Sequence, residues 1–373
     1  MKENKTNIVK NKRKIIWTII ASVLFAVFLT GGAFMFIRIT NYGVRPDIDE
    51  NAQNVILLIG DGMGRRHVEL GYFFGYDAVK SMDYHGTVAT RSVNFEPTDS
   101  AAAATAIASG TKVLNQSLNY DIFGRALTNI GELSKNAGKK YGVAVTKNVT
   151  DATPAGFTAH NKNRADERGI ALEQIRISRA DVIFGLGRTY FEPYKDEIIT
   201  SDRDYCVTYE ELRASEKPSA IAVFDVDRIP EEGEFTLASI AMEAIRMLEN
   251  PNGFFLMVEG SKIDTYSHSN DMENMLRELR AFNAAVAVVL AYAAVTPNTT
   301  VIVTADHETG GLRLPANLAP DLINDSLFTT GNHTAADVDI FISGPGAASL
   351  VSQKIYKIDN TDIFYIIRQL LDI

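Results

Sequence analysis

Apolar, largely β-branched runs recur along the chain: NVILLIG (54–60), YGVAVT (141–146), DVIFGL (181–186), SAIAVF (about 218–224), GFFLMVEG (253–260), TTVIVTA (299–305) and VDIFISG (338–344). Each has the length of a strand, and their near-continuous apolar character predicts burial on both faces. Between them, spacing of about 3.6 residues predicts helices over 101–109, 127–136, 166–177, 236–249, 272–294 and 361–371. Strands alternating with helices predict an α/β fold, a three-layer sandwich whose central sheet is mostly parallel and flanked by helices. Residues 187–235 are more polar and less regular, and read as a small insertion.

The N-terminus has a different pattern. Residues 15–37, IIWTIIASVLFAVFLTGGAFMFI, carry no charge. Such a run is long enough, at ~1.5 Å per residue, to span a ~30 Å hydrocarbon layer as a transmembrane helix. Residues 1–14 hold Lys2, Lys5, Lys10, Lys12, Arg13 and Lys14 against Glu3. Positive charge stays on the cytoplasmic side, which predicts a single-pass anchor with the rest of the chain outside the cell. The alternative is a signal peptide, cleaved to release a secreted protein. Residues 38–53 are polar and aperiodic and read as a linker, leaving 54–373 as the globular domain.

The net charge is -9 although the first fourteen residues are basic, so the outer part is more acidic still. That excludes a nucleic-acid-binding surface as the chain's main business. Cys206 is the single cysteine, so no intrachain disulfide forms, and stability rests on the core and on any metals.

Acids sit in one recurrent place. Asp61 follows the first strand, Asp151 follows the second, Glu259 closes the fifth, and Asp306 and His307 follow the sixth. In open α/β sheets ligands gather beyond the carboxyl ends of strands. Any one of these acids alone is equally a loop residue or a helix cap; the repetition points to a shared rim. Of six histidines, three stand among acids or small turn residues, in IDTYSHSND, TADHETGG and TTGNHT. Asp264 and His268 share one face if their segment is helical. His67, His85 and His160 read as structural. Mixed imidazole and carboxylate donors suit zinc, whereas Asp61, Asp151, Thr153 and Glu259 offer oxygen alone, which suits magnesium.

TDSAAAATAIASG (98–110) sets Ser100 at the start of a predicted helix of very small side chains. A helix N-terminus favours phosphate, and the alanines allow close packing against the sheet. A serine hydroxyl becomes a competent nucleophile when a divalent cation coordinates it. GxSxG is absent, and no histidine suited as general base lies nearby in sequence.

NVILLIGDGMG, TDSAAAATAIASGTK, TDATPAGFTAHNKNR, VEGSKID with its following His268, TADHETGG and TTGNHT with DVDIFISGPG together resemble the alkaline phosphatase family, in the family's order from Asn54 to about Gly346. The resemblance implies a phosphomonoesterase with Ser100 as the phosphorylated nucleophile. It implies one zinc on Asp61, Asp306 and His307 and a second on Asp264, His268 and His333. It further implies magnesium on Asp61, Asp151, Thr153 and Glu259, Arg164 gripping the phosphate, and a homodimer. Family members differ at the positions of Asp151 and Thr265, Asn332 stands where glycine is frequent, and Arg65-Arg66-His67 is unusual. Two other readings stay open: a phosphodiesterase or sulfatase-like relative, against which the TDSAA pattern speaks, and a non-catalytic metal- or phosphate-binding surface protein, which would need no nucleophile.

Overall fold

The computed structural model describes residues 45–94 and 97–373. The expected anchor at 15–37 and the basic segment before it lie outside the described residues. Residues 45–53 run along the body and are tied to its C-terminal end: Ala52 N–H donates to Leu370 O at 2.7 Å, and Ile48 N–H to Gln369 Oε1 at 2.9 Å.

Ten strands form one sheet in the order β12-β2-β11-β8-β1-β7-β3-β4-β6-β5. They are β1 (Asn54–Gly60), β2 (Tyr84–Ala89), β3 (Lys140–Asn148), β4 (Val182–Leu186), β5 (Arg203–Cys206), β6 (Ser219–Val223), β7 (Phe254–Gly260), β8 (Thr299–Thr304), β11 (Val338–Ser343) and β12 (Lys357–Asp359). Only β11 runs against the others, pairing antiparallel with both β8 and β2. β9 (Glu308–Thr309) and β10 (His333–Thr334) make a separate two-stranded ribbon. All seven expected strands are present. Every residue of β1, β7 and β8 is buried, including the polar Asn54, Glu259 and the threonines of β8. β5 and β6 extend one edge of the sheet, so 187–235 is not a separate insertion; it carries the last two parallel strands.

The six expected helices form within three residues of their anticipated ends. Among the described residues, Met272–Val295 is the one helix long and apolar enough to cross a membrane. Its apolar face is accounted for by packing on β1, β7 and β8 and on the helix Leu237–Leu248.

The helix Ser100–Ser109 is buried at every residue. Asp99 caps it, accepting from the Ala102 N–H at 3.0 Å, and Gly110 ends it with φ 67°, a left-handed stop that glycine adopts without strain. Its small side chains serve a helix contact more than the sheet contact expected from sequence. It lies against Ala152–Thr158 and the C-terminal helix Asn360–Leu370. A Cβ on Gly156 would stand 2.7 Å from Ala104 Cβ, so one glycine and one alanine set how near the two helices come.

Candidate metal centre and active site

β8, β1, β7 and β3 are consecutive in the sheet, and they are the four strands whose ends lead into the acids singled out above. Ile59 lies level with Glu259 and with Thr304, and Glu259 lies level with Val145. One rim therefore receives Asp61, Glu259, Asp306, His307 and, three residues past β3, Asp151. Asp61, Glu259, Asp306 and His307 are all buried, at no more than 3% exposure, where a lone charge is costly.

Local backbone sets these groups. Gly62 turns with φ +72°, and a Cβ there would meet Asp264 Cα at 2.8 Å and Thr309 Oγ1 at 2.9 Å. The DGMG loop thus needs glycine for conformation and for space. The Gly62 and His307 N–H groups both donate to Asp306 Oδ1, at 3.1 and 2.9 Å. Asp306 Oδ2, Asp61 Oδ1 and Glu259 Oε2 are buried without a hydrogen-bond partner.

Lys262–His268 is helical, so Asp264 and His268 share a face as the four-residue spacing requires. His268 Nε2 stands 3.1 Å from His333 Nε2, and the two lie 3.3 and 3.6 Å from Asp264 Oδ1. Each ring's Nδ1 is 2.7 Å from a backbone carbonyl, of Gly331 for His268 and of Thr98 for His333. Those carbonyls can only accept, so the protons sit on Nδ1 and both Nε2 atoms turn lone pairs toward each other and toward a carboxylate. Three acceptors at such separations need a cation between them. Tetrahedral zinc with bonds of ~2.0–2.1 Å sets its ligands about 3.3 Å apart, which fits.

His307 repeats the logic. Thr309 Oγ1 gives its proton to Asp264 Oδ1 at 2.6 Å, so it accepts from His307 Nδ1 at 3.2 Å. The bare Nε2 then faces Asp306 Oδ2 at 3.2 Å, Asp61 Oδ1 at 3.6 Å and Ser100 Oγ at 3.2 Å. Asp264 reaches both groups: its oxygens lie within 4.8 Å of donors from His268 and His333, and of donors from Asp61 and His307. His307 and His333 stack, with ring centroids 3.6 Å apart. Burial first, then His333, Arg164 and His268, hold the His307 imidazole well below its ordinary range. That makes it a poor proton acceptor for Ser100 and a good neutral ligand.

Arg164 lies at the N-terminus of Ser100's helix, against the capping residue Asp99. Its fork reaches Asp151 Oδ1 at 3.0 Å and Asp99 Oδ2 at 3.3 Å. The same Asp99 oxygen accepts from Gln116 N–H at 3.0 Å and Gln116 Nε2 at 3.1 Å. Lys147 Nζ sits 2.8 Å from Asp151 Oδ2. Burial raises the Asp151 carboxyl, but Lys147 and Arg164 outweigh it and bring it down to about 2. Thr153 is buried in the first turn of Ala152–Thr158. His67, His85 and His160 stand apart, held by Ser267 Oγ at 3.1 Å, Asp339 Oδ1 at 3.1 Å and Leu127 O at 2.9 Å. Thr309, Gln116 and Lys147 escaped the sequence reading. Only Thr309 left a signal, since two residues past His307 in a strand puts it on the same side.

Crowded acids have a thermodynamic consequence. Burial and then the neighbouring carboxylates Asp306, Asp264 and Glu259 raise Asp61 well above its ordinary value. Burial, Asp151 and Asp306 push Glu259 up to about 8. Burial and Asp264 push Asp306 to about 6. The metal-free folded chain therefore keeps protons that the unfolded chain has released, and its stability falls as pH rises through these values. Around pH 7 to 8, where histidines of the unfolded chain have mostly lost their protons, the Glu259 proton gives a slope of up to about 1.4 kcal/mol per pH unit. Zinc is expected to abolish the slope. Thermal unfolding across this range with and without zinc checks it, and a flat metal-free profile contradicts it.

Two imidazole–carboxylate groups beside a buried seryl oxygen, on the carboxyl rim of a mostly parallel sheet, define an α/β protein with a candidate metal centre at a serine-headed helix. The chain belongs to the alkaline phosphatase family, whose description matches residues 52–209 and 222–326. It is 32% identical to Alkaline phosphatase 4 of Bacillus subtilis over 304 residues, covering 71% of this chain and 63% of that protein. The chain thus spans about three fifths of that relative's length. It is 30% identical to Alkaline phosphatase H of Pseudomonas aeruginosa over 413 residues, covering 87% of this chain and 86% of the relative. The structure of the alkaline phosphatase from the Antarctic bacterium TAB5 superimposes with TM-score 0.77 at 31% identity, covering 87% of this chain and 99% of that one. A variant of the TAB5 enzyme, 30% identical with TM-score 0.74 over the same shares, is described with Mg bound in its M3 site.

Proposed function

We propose that this chain hydrolyses phosphate monoesters outside the cell through a phosphoseryl intermediate on Ser100. Asp61, Asp306 and His307 would hold one zinc ion, and Asp264, His268 and His333 a second. The observation that carries this reading is the approach of Ser100 Oγ to the unprotonated His307 Nε2, at 3.2 Å, among buried carboxylate oxygens that have no other partner. When bound, zinc supplies positive charge against the phosphoryl oxygens and lowers the pKa of a coordinated hydroxyl.

The chain's own groups account for the rest. Ser100 opens its helix, so free N–H groups and the positive end of the helix dipole flank its oxygen. Ser100 gives up its hydroxyl proton, Oγ attacks phosphorus as the ester P–O bond breaks, and the leaving alkoxide takes up a proton to become the alcohol. Water then loses a proton as it attacks the phosphoserine, the Oγ–P bond breaks, and Oγ regains a proton as inorganic phosphate departs. Two in-line displacements give net retention at phosphorus. Arg164 holds two phosphoryl oxygens in its planar fork, once it turns from Asp151. Asp99, fixed by Gln116, keeps the guanidinium aimed into the site.

The zinc-loaded chain is expected to turn over p-nitrophenyl phosphate with a higher kcat/KM than bis(p-nitrophenyl) phosphate. A diester preference would point to a phosphodiesterase, and bound zinc with no turnover of either would point to a binding protein. Arg164→Ala is expected to raise the inhibition constant of inorganic phosphate tenfold or more, since a hydrogen bond to a charged group contributes about 1.5–3 kcal/mol. Zinc content should not change. An unaltered constant, measured by competition against p-nitrophenyl phosphate, removes Arg164 from this role.

A further inference from the structure

The oxygen-only donors fit magnesium less well than the imidazole groups fit zinc. Asp151 has both oxygens engaged: Oδ1 accepts from Ala152 N–H at 2.7 Å and from Arg164 Nη2 at 3.0 Å, while Oδ2 meets Lys147 Nζ at 2.8 Å. Lys147 is the eighth of the nine residues of β3, four before Asp151. Its side chain is 31% exposed, and its charge acts on Asp61 and Glu259 as well as on Asp151. Its one ion pair within this donor set is with Asp151. We infer that the Lys147 ammonium is the third cation of this centre, standing in place of a magnesium ion. This inference rests on the function proposed above for the identity of the surrounding site.

The reasoning is electrostatic and geometric. Magnesium demands near-octahedral oxygens at ~2.0–2.1 Å. An ion held at that distance by Asp151 Oδ2 would lie close to an ammonium already 2.8 Å from the same oxygen. Two like charges at such a separation repel, though the part-exposed Lys147 and Asp151 leave that repulsion screened by solvent. A lysine ammonium neutralises Asp151 without the cost of dehydrating a divalent ion. It delivers one positive charge where magnesium would deliver two. The rim then balances its acids with two zinc ions, Lys147 and Arg164.

The test uses the full zinc-loaded chain, dialysed against excess magnesium chloride, desalted and assayed for both metals by mass spectrometry. Thermal unfolding is recorded in parallel with and without magnesium. Wild type is expected to retain zinc but no magnesium, and to show no magnesium-dependent shift in Tm. Lys147→Ala is expected to retain about one magnesium per chain, as a vacated oxygen site would, and to gain a saturable rise in Tm. Lys147→Gln, which keeps the length without the charge, gives the same reading if the alanine variant does not fold. Magnesium retained by wild type overturns the inference, and so does failure of both folded variants to acquire it. Zinc content and monoester turnover of wild type in the same samples report on the proposed function separately. If both are normal while wild type holds magnesium, only the role of Lys147 falls.

Discussion

Ser100→Ala is expected to lower kcat/KM for p-nitrophenyl phosphate by about four orders of magnitude or more, the scale seen when a covalent nucleophile is removed. The fold should survive the change. Ser100 is buried at the first position of a helix of alanines, and its cap is the Asp99 side chain, which accepts from Ala102 N–H whatever stands at 100. Alanine is the best helix former and removes only one oxygen. Zinc content should be unchanged, because the six zinc donors lie on other residues. Mass spectrometry of acid-quenched enzyme should find phosphoserine at this position in wild type and none in the variant. Stoichiometric phosphoserine in the variant, or turnover within tenfold of wild type, would refute the assignment.

Asp264→Asn is expected to have the widest effect of any single ligand change. Asp264 is the one acid whose oxygens reach both donor groups, and it also accepts the Thr309 proton that fixes the His307 tautomer. An amide keeps the shape but loses the charge, and it can turn a donor toward a metal. Partners outside the first ring of ligands typically cost 10–100-fold when changed. A shared ligand should therefore cost at least ~100-fold in turnover, together with loss of zinc. Metal analysis with steady-state kinetics checks this. A variant with full zinc content and an unaltered rate would show that the two groups do not depend on this carboxylate.

Much of the architecture was legible because buried strands leave a direct trace. NVILLIG and FFLMVEG are apolar at all but one position each, Asn54 and Glu259, and both form as expected. Elements that escaped had weaker traces. β2, YHGTVA, carries a glycine and exposed positions near the sheet edge. β5 has only four residues, RDYC. Ala152–Thr158 contains Pro154 and Gly156, which read as a turn, yet a proline in the first turn loses no helical hydrogen bond. Ser100 was placed on its helix correctly, but the neighbour that its alanines admit was not, because partner choice is a tertiary property. The acids at strand ends were visible one by one. That their strands are adjacent, β8-β1-β7-β3, could not be read from spacing, since strand order is set by crossovers. Lys147 left no mark because a lysine at a strand's end looks like a solvated surface residue until its partner is known.

That adjacency acts as a ruler. Neighbouring strands lie about 4.8 Å apart, a pitch fixed by the peptide hydrogen bonds of the ladder and indifferent to side-chain identity. The acids at the tips of four successive rungs inherit that pitch, so backbone spacing sets their lateral separation before any side chain is chosen. Asp264, His268 and His333 come from the segments beyond the tips, so a change of loop length there is expected to displace a donor while the strand-borne acids stay in place.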